Sequence, residues 1–365
     1  MKSRITFILS TLTGGGAERV TLNIINNLDR EKYEISLILL QNYGEYLDQI
    51  PKDIEVEILD VKRTLFSFAK LRKVIKKQAP DILYATLFHT GIALYLSTIG
   101  MRAKPKIVLR NATSPKLVMQ NGDIGLLYRL ALQWIYNKVD MVIAQTPEMK
   151  EEMVEYFHTD PQHIEVFLNP LDIDRIESAL HNISNPFDEK KTNIVAAGRM
   201  SYEKGFDILL DAFAKVIREE KHFYLHIIGK DEGEYQRLLK QVAALSLEEH
   251  VTIWGFQDNP YRFFYFSDLY VLPSRREGLP NTVLENLYIG KPVVATDCVP
   301  FIHRLIDDGK NGYIVDVEDR DALAKAILAY KELSMESPAF SFAPGDPNTL
   351  FAKLISREKG ADDRE

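Results

Sequence analysis

Short apolar runs alternate with stretches of helical periodicity along this chain, and the alternation occurs twice. In the first half, residues 4–10 (RITFILS), 33–40 (YEISLILL), 81–86 (DILYAT), 106–111 (KIVLRN), 141–145 (MVIAQ) and 164–170 (IEVFLNP) read as strands. Residues 17–29 and 124–138 are among the helices between them. In the second half, 193–199 (NIVAAGR), 222–229 (HFYLHIIG), 251–256 (VTIWGF), 269–274 (LYVLPS) and 292–297 (PVVATD) read as strands, with helices expected near 204–219, 232–246, 281–289 and 320–333. Strands that are apolar almost throughout are buried on both faces, so their sheets are parallel and covered by helices. Each half is therefore expected to be a doubly wound α/β domain. The boundary falls near 168–192, giving domains of 1–170 and 171–335 and a tail of 336–365. Two such domains facing each other make a cleft, and sheets of this kind bind ligands at the carboxyl ends of their strands.

A length of 365 residues also exceeds what one hydrophobic core usually supports. Cys298 is the only cysteine, which excludes an internal disulfide framework and a cysteine-based zinc site and fits a reducing cytosol. The first apolar run, Ile5 to Leu9, is too short for a signal sequence and leads straight into glycines. No apolar run reaches the roughly 18 residues of a membrane-spanning helix. The stretch at 124–139 is interrupted by Arg129 and reads as a buried helix. The chain is expected to be cytoplasmic. Its net charge of −7 is unevenly spread: residues 1–170 carry 21 basic and 19 acidic side chains, the remainder 24 and 33. That is no profile for a nucleic-acid binder.

The first strand ends in STLTGGGAERV, residues 10–20. Glycines between a strand and a helix let backbone N–H groups approach an anion, or they form a plain turn. A dinucleotide fingerprint is absent. Arg19 stands where the third glycine belongs, and the second strand ends in Leu40-Gln41 without an acid for a ribose.

In the second half, Arg199 and Lys204 flank a short loop before a helix that begins around Gly205. Arginine can hold two phosphate oxygens at once and lysine adds a compact charge, a pair suited to a diphosphate. Further on, SRREGLPNTVLENLYIGKPVVATD (274–297) places Glu277 and Glu285 on either side of a Gly-Leu-Pro turn. With Asn281 as N-cap, the helix start offers unpaired N–H groups and partial positive charge. Glu277 sits in the turn, and Glu285 lies about one helical turn in, suited to vicinal hydroxyls such as a ribose's. The turn thus combines carboxylates for neutral hydroxyls with amides and cations for phosphate.

The segments REGLPNTVLENLYIGKPVVATD, GRMSYEKGFDILLDAF, IIGKDEGEYQRLLK, GFQDNPYRFFYFSDLYVLPS and GGGAERV, together spanning about 4–330, resemble glycosyltransferase family 4. Its members are retaining enzymes of the two-domain GT-B architecture. The resemblance implies that Arg199 and Lys204 bind the donor diphosphate, Glu277 the donor sugar and Glu285 the ribose. It also implies that the backbone of Gly278, Leu279, Pro280 and Asn281 meets sugar hydroxyls and phosphate, and that Gly15 and Gly16 line the N-domain wall. The family needs no metal and no cofactor beyond the nucleotide-sugar donor. Asp172-Ile173-Asp174, which matches the metal-binding Asp-x-Asp of another transferase class, follows Asn169-Pro170 at the domain boundary and is read as structural.

Family members often place a histidine after the fourth strand, near the transferred sugar; here Arg110 and Asn111 occupy that region. His89, in TLFHTG, is the nearest histidine candidate for the active site. Arg-Asn at this point resembles the subset that builds bacterial surface polysaccharides on lipid carriers. Residues 61–80 hold seven Lys/Arg and no acid, with Leu65, Phe66, Phe68, Leu71, Val74 and Ile75 between them, and Arg102, Lys104 and Lys106 form a second cluster. Two readings stand: a solvated helix face, or a patch lying on an anionic bilayer. The tail starts irregular, with helical spacing only over 348–357, where the family has a helix crossing back to the N-domain; 358–365 reads as disordered.

The expected activity is metal-independent, retaining transfer from a nucleotide diphosphate sugar, UDP-linked, to a saccharide on a polyprenyl-diphosphate or other lipid carrier, as in O-antigen, capsule or lipopolysaccharide assembly. Glu277 orients the sugar or acts as nucleophile. The alternative is a UDP-sugar 2-epimerase-like isomerase of the same architecture, for which the sequence offers no convincing acid/base pair.

Overall fold

The computed structural model describes residues 2–13, 15–61, 63–120, 125–334 and 345–356. It divides into two units: Met1–Pro170 with Pro344–Glu365, and Leu171–Ala343. Among the described residues the first unit is a seven-stranded parallel sheet with helices between its strands. Its elements are β1 (Ser3–Leu9), α1 (Gly16–Asn27), β2 (Tyr33–Leu39), β3 (Glu55–Ile58), α2 (Phe68–Gln78), β4 (Ile82–Thr86), α3 (Phe88–Thr98), β5 (Lys106–Arg110), α4 (Pro115–Gln120), α5 (Leu126–Tyr136), β6 (Met141–Ala144), α6 (Pro147–Phe157) and β7 (Ile164–Val166). The sheet order is β3-β2-β1-β4-β5-β6-β7. The chain starts in the middle, winds outward, then crosses to the other side, so the winding direction reverses between β1 and β4. Ile5 to Leu9 of β1 and all of β4 and β6 are buried, as strands covered on both faces must be.

The second unit repeats the plan. It comprises α7 (Ile173–Ala179), β8 (Thr192–Ala197), α8 (Phe206–Glu219), β9 (Phe223–Ile228), α9 (Tyr235–Ala244), β10 (Val251–Gly255), α10 (Tyr261–Phe266), β11 (Leu269–Leu272), α11 (Asn281–Tyr288), β12 (Val293–Thr296), α12 (Ile302–Leu305), β13 (Gly312–Val315) and α13 (Arg320–Leu328). Among the described residues its six strands pair in the order β10-β9-β8-β11-β12-β13, with the reversal between β8 and β11. The core of α8 explains its position: Phe206, Leu209, Leu210 and Phe213 are fully or almost fully buried against the strands.

A final helix, α14 (Pro347–Ser356), belongs to the first unit. Its Phe351 is fully buried, with ring centroids 6.1 Å from Phe7 and 6.3 Å from both Tyr33 and Tyr84. Polar contacts hold the same helix: Asp29 N donates to Asn348 Oδ1, Lys106 Nζ to the Leu354 carbonyl, and Lys353 Nζ to Glu165.

Several expectations need revision. β3 and β13 escape the sequence reading; both lie at sheet edges, where one flank is unpaired and the apolar run is short. The 124–139 helix is buried on one face alone: α5 turns Leu132, Ile135 and Tyr136 inward while Leu127 is 84% exposed. Asn281 is the first residue of α11 and makes no side-chain cap; Pro280 holds the N-cap position. The expectation of disorder for 358–365 lies outside the described residues. Among the described residues no helix is long and apolar enough to cross a membrane.

Candidate active site

Neighbouring strands β8 and β11 send their chains in opposite winding directions, and the loops that leave their carboxyl ends meet at this switch point. The β8 loop runs through Gly198, Arg199 and a 3₁₀ turn, Tyr202–Lys204, into Gly205. The β11 loop runs from Pro273 to Pro280 and into α11. Gly205 has φ +64, and a Cβ there would strike the Pro273 carbonyl oxygen, so the two loops touch only because this residue is glycine.

The contact brings two of the expected site residues together. Lys204 Nζ donates to Glu277 Oε1 at 2.6 Å, with the side chains only 21% and 12% exposed. Ser274 Oγ donates to the same oxygen at 2.8 Å, and Thr296 Oγ1 in turn holds the Ser274 carbonyl. Glu285 is half-buried in the first turns of α11 and accepts from Tyr261 OH at 3.4 Å. Near them the buried Tyr270 hydroxyl donates to Thr282 Oγ1 at 2.7 Å. Burial raises the Tyr270 phenol pKa far above the usual range, and the charges of Glu277 and Glu285 both add to the rise. The Cys298 thiol is likewise pushed up to about 12 by burial, with Glu277 contributing and Lys204 opposing. The two carboxylates therefore act on one electrostatic neighbourhood.

The turn itself is more selective than the sequence implies. Pro280 has no N–H to offer, and the Asn281 amide already donates to the Leu279 carbonyl at 2.9 Å. Gly278 and Leu279 are the members of the quartet whose amides have no protein acceptor among the described residues.

Arg199 is placed differently from Lys204. Its Nη1 reaches both oxygens of Glu232, in the loop after β9, at 2.9 Å, and its side chain is 46% exposed. The sequence reading missed the residue that ties the loops: Arg275. Its guanidinium grips both Asp207 oxygens at 2.8 Å, donates to the Tyr202 carbonyl at 2.6 Å, and lies 3.9 Å over the Tyr202 ring. The carboxylates of Asp207 and Glu318 raise its already high pKa further. An arginine directly after an apolar strand, with an aspartate in the first turn of the neighbouring helix, was the available signal.

In the first unit the remaining candidates gather at the other switch point. Gly15 is the N-cap of α1 and Gly16 its first residue. His89 opens α3 beside the end of β1, with Nε2 3.2 Å from Ser10 Oγ, and burial lowers its pKa. Arg110 is almost fully buried at the end of β5, where Nη2 donates to Asn169 Oδ1 at 2.6 Å. Asn111 follows, its amide bound to the Ile143 carbonyl. At the start of the second unit, Asp172 is the N-cap of α7, accepting from the Arg175 amide, which is a structural role. Among the described residues no three His, Cys, Asp or Glu side chains gather in a metal-holding group.

Two doubly wound units of this kind are the GT-B fold of glycosyltransferases. Residues 14–175 match the model for Glycosyltransferase Family 4, and residues 179–339 match that for Glycosyl transferases group 1. The chain belongs to glycosyltransferase family 4 and is a glycosyltransferase, which sets the isomerase reading aside. A similar curated protein is N-acetylgalactosamine-N,N'-diacetylbacillosaminyl-diphospho-undecaprenol 4-alpha-N-acetylgalactosaminyltransferase of Campylobacter jejuni, 27% identical over 90% of each chain. An Escherichia coli O-antigen biosynthesis glycosyltransferase, WclY, is 25% identical over 83% of this chain and 82% of its own. Among solved structures, Anabaena HepE in complex with UDP and glucose superposes with a TM-score of 0.78 at 20% identity, covering 96% of this chain and 99% of that one.

Proposed function

We propose that the enzyme is a retaining glycosyltransferase that moves a sugar from a UDP-sugar to a saccharide carried on a polyprenyl diphosphate or similar lipid, in bacterial O-antigen, capsule or lipopolysaccharide assembly. The observation that carries the reading is the Lys204–Glu277 contact at the switch point of the second unit, in a chain of this family. Both bonds to Glu277 go to Oε1, which leaves Oε2 for a hydroxyl of the donor sugar. Lys204 carries three N–H donors and spends one on Glu277, so two remain for the diphosphate. The amides of Gly278 and Leu279, before the start of α11, add donors for the same anion.

Catalysis is then charge stabilisation and positioning. As the bond from the anomeric carbon to the diphosphate breaks, negative charge grows on the departing oxygen. Lys204, the turn amides and Arg199 offset that charge without a metal ion. Arg199 does so by exchanging Glu232 for phosphate. Glu285 takes the ribose hydroxyls. The acceptor hydroxyl attacks on the face the leaving group vacates and passes its proton to the departing diphosphate oxygen, so the product keeps the donor's anomeric configuration, and Glu277 orients the sugar without a covalent bond. The first unit takes the acceptor, with His89 and the buried Arg110–Asn169 pair as its polar contributors. Support for lipid-linked acceptors comes from the C. jejuni relative, whose name specifies an undecaprenol diphosphate substrate. Isothermal titration with UDP followed by product analysis on membrane lipid extracts tests the reading; no UDP binding, or UDP binding that survives Lys204→Ala unchanged, overturns it.

A further inference from the structure

The outward side of α5 is apolar where a solvated helix would be polar. Leu126, Leu127, Leu130 and Trp134 follow one another on a single stripe and are 69%, 84%, 50% and 52% exposed. The stripe continues across the neighbouring helix. Trp134 packs edge-on to Tyr95 of α3 at 5.2 Å, and the end of α3 exposes Leu96 and Ile99. From there it reaches α2, since Arg72 donates to the Ser97 and Ile99 carbonyls; Phe68 at the start of that helix and Phe66 in the 3₁₀ turn before it lie exposed. An apolar band of this extent is rare on a soluble surface and marks a contact site.

Charge says what the contact is with. From 61 to 122 the sequence has twelve basic residues and one acid, Asp81, whose carboxylate is held by the Arg4 amide. Residues 123–139, which include α5, add Arg129 and Lys138 against one acid, Asp123. Lys73, Lys76 and Lys77 are exposed along α2, and Lys104 lies 5.6 Å over the Tyr95 ring that supports Trp134. A protein partner would need an acidic surface around an apolar one. A bilayer with anionic headgroups presents that pairing over any area.

We propose that α5, flanked by the end of α3 and the start of α2, inserts its leucines and Trp134 into the headgroup–acyl boundary of an anionic membrane, while the α2 lysines hold the headgroups. The inference rests on the reading that the acceptor is lipid-linked, and it assigns insertion to α5 rather than to the basic stretch 61–80 alone.

The test uses the full chain and vesicles of phosphatidylglycerol with phosphatidylethanolamine, against vesicles of phosphatidylcholine. In a Trp254→Phe background Trp134 is the one remaining tryptophan, and its emission should shift blue on the anionic vesicles. Leu127→Glu with Leu130→Glu should lower sedimentation with these vesicles by about tenfold or more while UDP binding stays unchanged. Lys73→Glu with Lys76→Glu should weaken binding in a salt-dependent way. The proposal is overturned if the leucine double variant binds as the wild type does, or if Trp134 emission does not move. It is equally overturned if the wild type is a dimer that the double variant dissociates, because the face is then covered by a second copy. No donor or acceptor enters these measurements, so they can fail while UDP binding and its loss in Lys204→Ala still hold.

Discussion

Lys204 Nζ lies 2.6 Å from Glu277 Oε1, joining two loops that are 73 residues apart in sequence. Lys204→Ala leaves Glu277 to Ser274 alone; on the proposed reading it also removes a cation from the diphosphate, and Glu277→Ala removes the contact to the donor sugar. Each should lower kcat/KM by about 10²–10³-fold with the circular dichroism spectrum unchanged. Steady-state assays with a UDP-sugar measure the loss, and near-wild-type turnover in either variant removes the site assignment.

Arg275 is the clamp of the same loops, and its side chain is only 11% exposed. Arg275→Ala leaves the Asp207 carboxylate, which is 13% exposed, to Arg237 at 3.7 Å, and should cost about 2 kcal/mol in a urea titration. Because the β8 and β11 loops lose their tie, KM for the donor should rise. Arg275→Lys should not restore it, since a lysine cannot grip both Asp207 oxygens and stack on Tyr202. A lysine variant with wild-type KM would show that the clamp does not position the site.

Phe351 fills a socket made by Phe7, Tyr33 and Tyr84 in the first unit. Phe351→Ala should destabilise that unit by about 3–5 kcal/mol. Hydrogen exchange resolves the effect: amides of β1 and β4 should lose protection while those of β8 and β11 keep it.

His226 gives the second unit a pH dependence. Its Nδ1 accepts from Trp254 Nε1 at 3.2 Å, so Nε2 carries the proton toward Asn193 Oδ1 at 3.0 Å, and the ring is neutral. Burial, aided by Lys191, lowers its pKa from 6.5 to about 4. Above pH 6.5 the ring is neutral both folded and unfolded and has no effect. Between 6.5 and 4 the unfolded chain binds the extra proton, so stability should fall with pH by about 3 kcal/mol in total. Urea midpoints across that range, compared with those of His226→Phe, check both the sign and the residue.

The central strands were legible because they are apolar without interruption: Ile5–Leu9 and Leu269–Leu272 needed no other signal. Edge strands were not. Glu55–Ile58 alternates acids with exposed Val56 and Ile58, and such a segment resembles a loop until its neighbour's hydrogen bonds are known. In the site, Lys204 and Glu277 were legible from their turn contexts, whereas their contact depends on strand order, which no local pattern contains. Arg275 was hidden for the opposite reason: beside Arg276 and Glu277 it looks like one more surface charge, and only its bidentate grip on Asp207 distinguishes it. The outward stripe of α5 was hidden because an apolar helix reads as core from composition alone.

The placement of α14 has a consequence for synthesis. The first unit is discontinuous: residues 347–356 leave the ribosome after all of 171–343 has been made. The second unit can thus close as an unbroken segment while the earlier one waits with the pocket for Phe351 unfilled. The half of the enzyme that is translated first is the half that finishes folding last.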